Sequence, residues 1–213
     1  MTQFINDRQR LITELQRYIP WNAQEEKDKL LILTCLNSFP NIFTRENRLA
    51  HMTVSAWVVN PTWDRALMAY HNIYKSWSWL GGHADGECDL LAAALREVTE
   101  ESGIARVRPL SPLPYSLESL TVDGHVKHGE YVSSHLHLNI TYLLEADDSA
   151  PTVVKPDENS AVGWFPLEEA VSISSEPWFQ EHIYKKLNDK LEALKRDTAF
   201  RGAGKRHQES LTE

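Results

Sequence analysis

Apolar positions follow two periods along this chain, and the change between them divides it. Residues 3–18 place Phe4, Ile5, Leu11, Ile12, Leu15 and Tyr18 at helical spacing. Residues 23–37, acidic at their start as a helix dipole favours, predict a second helix. Ile19-Pro20-Trp21-Asn22 separates the two, and residues 38–47, with Pro40, read as a connector. From His51 the period becomes two. Met52, Val54, Ala56 and Val58 alternate with Thr53, Ser55, Trp57 and Val59, which predicts a strand. Asn60-Pro61-Thr62-Trp63-Asp64 predicts a turn, and residues 65–71 the return strand. Strands are predicted again over 115–122, 131–145 and 162–165; in the second, Leu136, Leu138, Ile140, Tyr142 and Leu144 share a face. Helices are predicted over about 89–101, 166–173 and 176–196, and the polar stretch from Thr198 reads as a mobile tail.

Strands on both sides of a central helix, with a further helix after the last strand, predict an α+β or α/β sandwich with a mixed sheet. The division is a helical N-terminal extension (1–48), a core domain (49–173), a C-terminal helix packed on it (174–197) and a tail (198–213). The extension either packs on the core or serves as a dimerisation or lid element.

Composition narrows the class. With 42% hydrophobic and 24% charged residues the chain reads as globular and soluble. A net charge of −8 argues against a nucleic-acid polymer as partner. The N-terminus lacks a basic region followed by an apolar core, and no apolar run is long enough to span a membrane. Two cysteines, Cys35 and Cys88, without metal-ligand spacing fit a reducing compartment, so a cytoplasmic location is expected.

The candidate chemistry lies in the stretch from Gly81 to Ile104, a glycine loop, a helix and a glycine stop. Glu97, Glu100 and Glu101 stand at i, i+3 and i+4, on one helical face. A charge-rich helix end is ordinarily a solvated face. Three acids at a helix C-terminus, however, repel one another and oppose the macrodipole. A hard divalent cation such as Mg²⁺ converts that repulsion into affinity and keeps positions open for phosphate oxygens.

This stretch resembles the Nudix box of the Nudix hydrolases, G-x5-E-x7-R-E-U-x-E-E-x-G-U with U a bulky apolar residue. Counted from Gly82, the chain supplies Arg96, Glu97, Val98, Glu100, Glu101, Gly103 and Ile104 in register, while Cys88 replaces the first glutamate between Glu87 and Asp89. The resemblance covers roughly residues 50–170. It implies an α/β/α sandwich and Mg²⁺-dependent hydrolysis of a diphosphate linkage, with Mn²⁺ as a substitute. It implies that Glu97, Glu100, Glu101 and the Gly82 carbonyl hold metal. It implies that Arg96 orients the carboxylates and that Gly81 and Gly82 let the backbone approach phosphate. Glu158, in the loop before the last strand, is the candidate general base; an ordinary polar turn is the other reading, and a box glutamate is an alternative base. Small nucleotides are the implied substrates, and a homodimer through the terminal helices the implied assembly.

Histidines are the other distinctive feature. His125, His128, His135 and His137 fall close together, and His51 and His83 lie near predicted sheet ends. His135 and His137 share a strand face, where such a pair holds a transition metal, contacts phosphate, or simply lines a solvent-facing edge. The last reading is preferred. His83, beside the glycine pair, is assigned to substrate. Two other functions compete with hydrolysis. One is an isomerase similar to isopentenyl-diphosphate isomerase, which needs a reactive cysteine. The other is a non-enzymatic nucleotide sensor, which would ordinarily lose the box glutamates.

Overall fold

The computed structural model describes residues 2–127 and 129–209. Two helices, α1 (Thr2–Arg17) and α2 (Ala23–Ser38), come first. They are followed by β1 (Ala50–Val59), β2 (Arg65–His71), β3 (Ser76–Ser78) and β4 (Leu80–His83). Next come α3 (Leu90–Ser102), β5 (Val107–Pro109), β6 (Ser116–Val122), β7 (His125–Lys127), β8 (Glu130–Val132) and β9 (His135–Ala146). β10 (Asn159–Pro166), α4 (Leu167–Ser172), α5 (Pro177–Phe179), a π-helical turn at Gln180–Tyr184 and α6 (Lys185–Glu209) complete the chain.

Eight strands form one mixed sheet in the order β10-β2-β1-β9-β5, with β3 beside β2, β4 beside β1 and β6 beside β9. The β1–β9 pair is parallel and the other pairs are antiparallel. β1 is buried along its whole length because both its faces are covered. Its even residues, Met52, Val54, Ala56 and Val58, join Leu138, Ile140, Tyr142 and Leu144 of β9 beneath Leu90, Ala93, Ala94 and Val98 of α3. Leu11, Leu15, Ile32 and Leu36 of the N-terminal helices are buried in the same cluster. On the other face Trp57, Val59, Met68 and Leu143 receive Tyr184, Leu187 and Leu191 from the C-terminal helices. The result is an α/β/α sandwich.

The odd-numbered face of β1 and β9 turns polar away from that second cluster. Asn139 accepts hydrogen bonds from Thr53 Oγ1 (3.1 Å) and Ser55 Oγ (3.0 Å), and donates to Glu118 (2.9 Å). Glu118 and Glu25 are both fully buried and share Lys186, and Glu25 also pairs with Lys190. The Lys186–Glu118 pair spans 3.0 Å and the Lys190–Glu25 pair 2.8 Å. Two carboxylates thus meet two ammonium groups, so the charges balance where water cannot solvate them.

Four features depart from the sequence pattern. β3, β4 and β5 are too short for alternation to show. Residues 131–132 belong to the separate β7–β8 hairpin, so β9 begins only at His135. The long C-terminal helix starts through a π-helical turn that lets the adjacent Ile183 and Tyr184 both reach the sheet. Its backbone continues past residue 198 to Glu209; residues 210–213 of the predicted tail lie outside the described residues.

Candidate active site

β4 pairs antiparallel with β1, setting Gly81 against Ser55, Gly82 against Val54 and His83 against Thr53. The approach is close. A Cβ on Gly81 would lie 2.2 Å from the Val54 carbonyl oxygen, and one on Gly82 would lie 2.6 Å from the Glu97 carboxyl. The loop turns at Asp85 and Gly86, both with positive φ, and the Asp85 carboxylate pairs with Arg45. Asp89 caps α3 by accepting from the Ala92 N–H (3.1 Å), and Gly103 ends the helix at φ 72°.

The caps set the ends of α3, and its buried stripe of Leu90, Ala93, Ala94 and Val98 turns one side to the sheet, which sets where its acids stand. Glu101 is nearly buried, and its carboxylate accepts a hydrogen bond from the Gly81 N–H (2.9 Å). Arg96 reaches Glu97 at 3.0 Å and Glu100 at 3.7 Å. The loop before β10 closes the site: Lys155 bridges Glu100 (3.3 Å) and Glu158 (2.9 Å). Asn159 Nδ2 donates to the Glu101 carbonyl (3.0 Å), and the Asn72 N–H donates to the Glu158 carbonyl (3.0 Å).

The electrostatics follow from this crowding. Burial pushes the Glu101 carboxyl up to about 8; the Gly81 N–H opposes the shift, and the charges of Glu158 and Glu97 add to it. Burial raises Glu97 too, against the pull of Arg96. Burial pulls Lys155 down, but its hydrogen bonds to Glu158 and Glu100 outweigh that and raise it. Glu97, Glu100, Glu101 and Glu158 thus bring four carboxylates against two cations, Arg96 and Lys155. The donors are hard oxygens, and the ammonium of Lys155 already sits as a cation between two of them. The residues present fit a divalent ion of the Mg²⁺ class.

Gly81, Gly82, Arg96, Glu97, Glu100, Glu101 and Glu158 are therefore brought together. His83 is not: it follows Gly82 on a strand, so it faces the opposite way, toward His51 and His137 at ring separations of 5.2 and 4.9 Å. His135 and His137 are half-buried rather than lining a solvent-facing edge, because the parallel register sets His137 directly beside buried His51. His128 lies outside the described residues. Cys88 packs into the core with its thiol pushed up to about 12, by burial first and then by Glu87. Burial raises the Cys35 thiol as well. Lys155 and Asn159 escaped the sequence reading; their one signal was their place on either side of Glu158.

The mixed α/β/α sandwich thus carries an acid-ended helix against a glycine loop, a phosphate- and metal-directed arrangement. The family model for the NUDIX domain matches residues 49–187, and the chain belongs to the Nudix family. It is similar to the dihydroneopterin triphosphate pyrophosphohydrolase of E. coli, 15% identical over 63% of this chain and 92% of that one, with a TM-score of 0.51. It is also similar to a NUDIX-family hydrolase from Clostridium perfringens, 21% identical over 65% of this chain and 96% of that one, with a TM-score of 0.48. An Ap4A hydrolase of C. elegans is 17% identical over 68% of this chain and 98% of that one, with a TM-score of 0.46. At these identities the likeness is one of fold. No curated protein sequence matches the chain. Among the described residues no helix is long and apolar enough to cross a membrane.

Proposed function

We propose that this protein hydrolyses a diphosphate linkage in a nucleoside diphosphate derivative or nucleoside triphosphate, using Mg²⁺ or, in its place, Mn²⁺. The observation that carries the reading is the convergence of Glu97, Glu100, Glu101 and Glu158 on one side of the Gly81-Gly82 backbone, with negative charge in excess. Glu97, Glu100 and Glu101, with the Gly82 carbonyl, would hold the ion, which supplies charge neutralisation to the diphosphate and makes water a better nucleophile at neutral pH.

The chain's own residues do the rest. Arg96 holds Glu97 and Glu100 in place by charge-assisted hydrogen bonds. Gly81 fixes Glu101 through its N–H. Gly82, lacking a Cβ, lets the Glu97 carboxylate close onto the loop. Glu158 takes a proton from the attacking water at its carboxylate, with Lys155 keeping it beside the helix end. The isomerase reading needs a reactive cysteine in the site, whereas Cys35 on α2 and Cys88 before α3 are both buried in the core cluster. For the hydrolase we further propose a cytoplasmic location, small nucleotides as substrates and a homodimer through the terminal helices, the last to be tested by light scattering.

The test is a panel of nucleoside triphosphates, dinucleotides and nucleotide sugars assayed with and without Mg²⁺, beside a Glu100→Gln/Glu101→Gln double variant. Metal-dependent turnover of one class, lost in the variant, supports the assignment. Equal turnover by the variant, or none on any compound from folded protein that binds Mg²⁺, removes it.

A further inference from the structure

We infer that His51, His83 and His137 form a second metal site, distinct in chemistry from the carboxylate cluster, that takes a nitrogen-preferring divalent transition ion of the Zn²⁺ class. One ligand nitrogen from each of the three rings lies within 4.8 Å of the other two. The residues come from three strands. His51 is on β1, His137 is its register partner on the parallel neighbour β9, and His83 ends β4 on the other side of β1. The ring separations are 4.9 Å for His51–His137, 4.9 Å for His83–His137 and 5.2 Å for His51–His83.

A second observation points to a ligand. His51 is only 4% exposed, and its Nδ1 is engaged by the Asn47 carbonyl at 3.1 Å. Its Nε2 is buried and has no hydrogen-bond partner among the described residues. A buried polar atom left unsatisfied is costly, and buried groups nearly always find partners. An imidazole whose Nδ1–H is held by a backbone carbonyl, with Nε2 left bare, is the tautomer and orientation that metal-ligating histidines adopt. His135 beside the trio likewise has its Nδ1 engaged by a backbone carbonyl, that of Ser133 at 2.9 Å, and its ring lies 4.9 Å from that of His51.

Neutral imidazole is the form that binds metal, and a half-buried to buried setting favours it over the charged ring. The Arg45 guanidinium near the trio is paired with Asp85, whose carboxylate also acts on His51 and His83. Imidazole nitrogens suit Zn²⁺, Fe²⁺, Ni²⁺ or Cu²⁺, whereas Mg²⁺ seeks oxygen. A tetrahedral ion at about 2.0 Å from each nitrogen would draw the three to about 3.3 Å of one another, a small closure of side-chain torsions. Three protein ligands leave a fourth position for water or a ligand oxygen.

The site's place gives it a role. His83 is the residue after Gly82, so an ion held there clamps the glycine loop to β1 and β9 and fixes Gly82 against Glu97. This inference does not rest on the hydrolase reading, and its test reads metal binding rather than turnover. Full-length protein stripped with chelator is titrated with Co²⁺, read by visible absorption, then with Zn²⁺ in competition. His83→Gln, His137→Gln and Glu100→Gln/Glu101→Gln variants run in parallel, each checked for folding by circular dichroism. The expected result is one equivalent of Zn²⁺ displacing Co²⁺ that shows the intense bands of a four-coordinate nitrogen site. Affinity should fall at least about 100-fold in either histidine variant and stay within about threefold in the glutamate variant, and Zn²⁺ should raise the Tm of the wild type and the glutamate variant but not of the histidine variants. Zn²⁺ affinity unchanged in folded His83→Gln protein, or lost in the glutamate variant, would overturn the site.

Discussion

Gly81 and Gly82 are adjacent and chemically identical, yet their replacement should act on different properties. A methyl group on Gly81 meets the Val54 backbone oxygen at 2.2 Å, an atom that cannot yield without moving β1. Gly81→Ala should therefore cost about 2–3 kcal/mol in urea unfolding, the scale of overpacking in a tight interior. A methyl group on Gly82 meets only the tip of Glu97, which can swing aside. Gly82→Ala should lose less than about 1 kcal/mol of stability, while kcat/KM falls at least about tenfold because Glu97 no longer faces the loop. Equal effects of the two substitutions on stability would contradict this account of the loop. Lys155→Met should release Glu158 and lower kcat about tenfold or more with KM changed less, measured by steady-state kinetics.

The box helix was legible because everything that defines it is local. The Asp89 cap, the apolar stripe, the acids at i, i+3 and i+4 and the Gly103 stop all lie within one short stretch of sequence. The short strands β3, β4 and β5 were not legible, since each exists through pairing with a distant partner rather than by its own alternation. The tie between α2 and α6 was equally hidden. Glu25 looks like an ordinary first-turn acid, but it is fully buried against Lys190 and Lys186. Burial pushes its carboxyl up, yet the two ammonium groups outweigh that and hold it below its ordinary value. A depressed carboxyl binds fewer protons folded than unfolded. Its stabilisation is thus complete above the ordinary value of 4.5 and is lost as pH falls through the lower folded value. Glu25→Gln should cost about 3 kcal/mol at pH 7, because it strands Lys190 without a carboxylate partner. It should also flatten the acid limb of stability against pH in chemical unfolding from pH 7 to pH 3. An unchanged acid limb would show that Glu25 carries none of it.

At the scale of the whole molecule, the N-terminal helices belong to the same packing unit as the sheet. Leu11, Leu15, Ile32 and Leu36 share a core cluster with β1, and Glu25 satisfies two lysines of α6. Deleting residues 1–38 should therefore abolish a single cooperative melt rather than trim an appendage, a point calorimetry can check. Topology also explains what the sequence could not reveal about sites. Glu158 could be nominated because it lies in a loop just before a predicted strand, but the Lys155 bridge to Glu100 needed the fold. The histidine trio arises from the parallel β1–β9 register, with His51 and His137 far apart in the chain. No local pattern encodes such a pairing.

The central claim, that this carboxylate cluster directs water onto a diphosphate, is tested most directly by following the oxygen. Wild-type protein and the Glu100→Gln/Glu101→Gln variant are incubated with the best nucleotide substrate in 18O-labelled water, with Mg²⁺ and with chelator, and the products are weighed by mass spectrometry. The account predicts one labelled oxygen in a phosphate product from the wild type with Mg²⁺, and at least about 100-fold less from the variant or under chelation. Labelled product formed equally well by the variant or without metal, or an unlabelled isomer of the substrate, would contradict it.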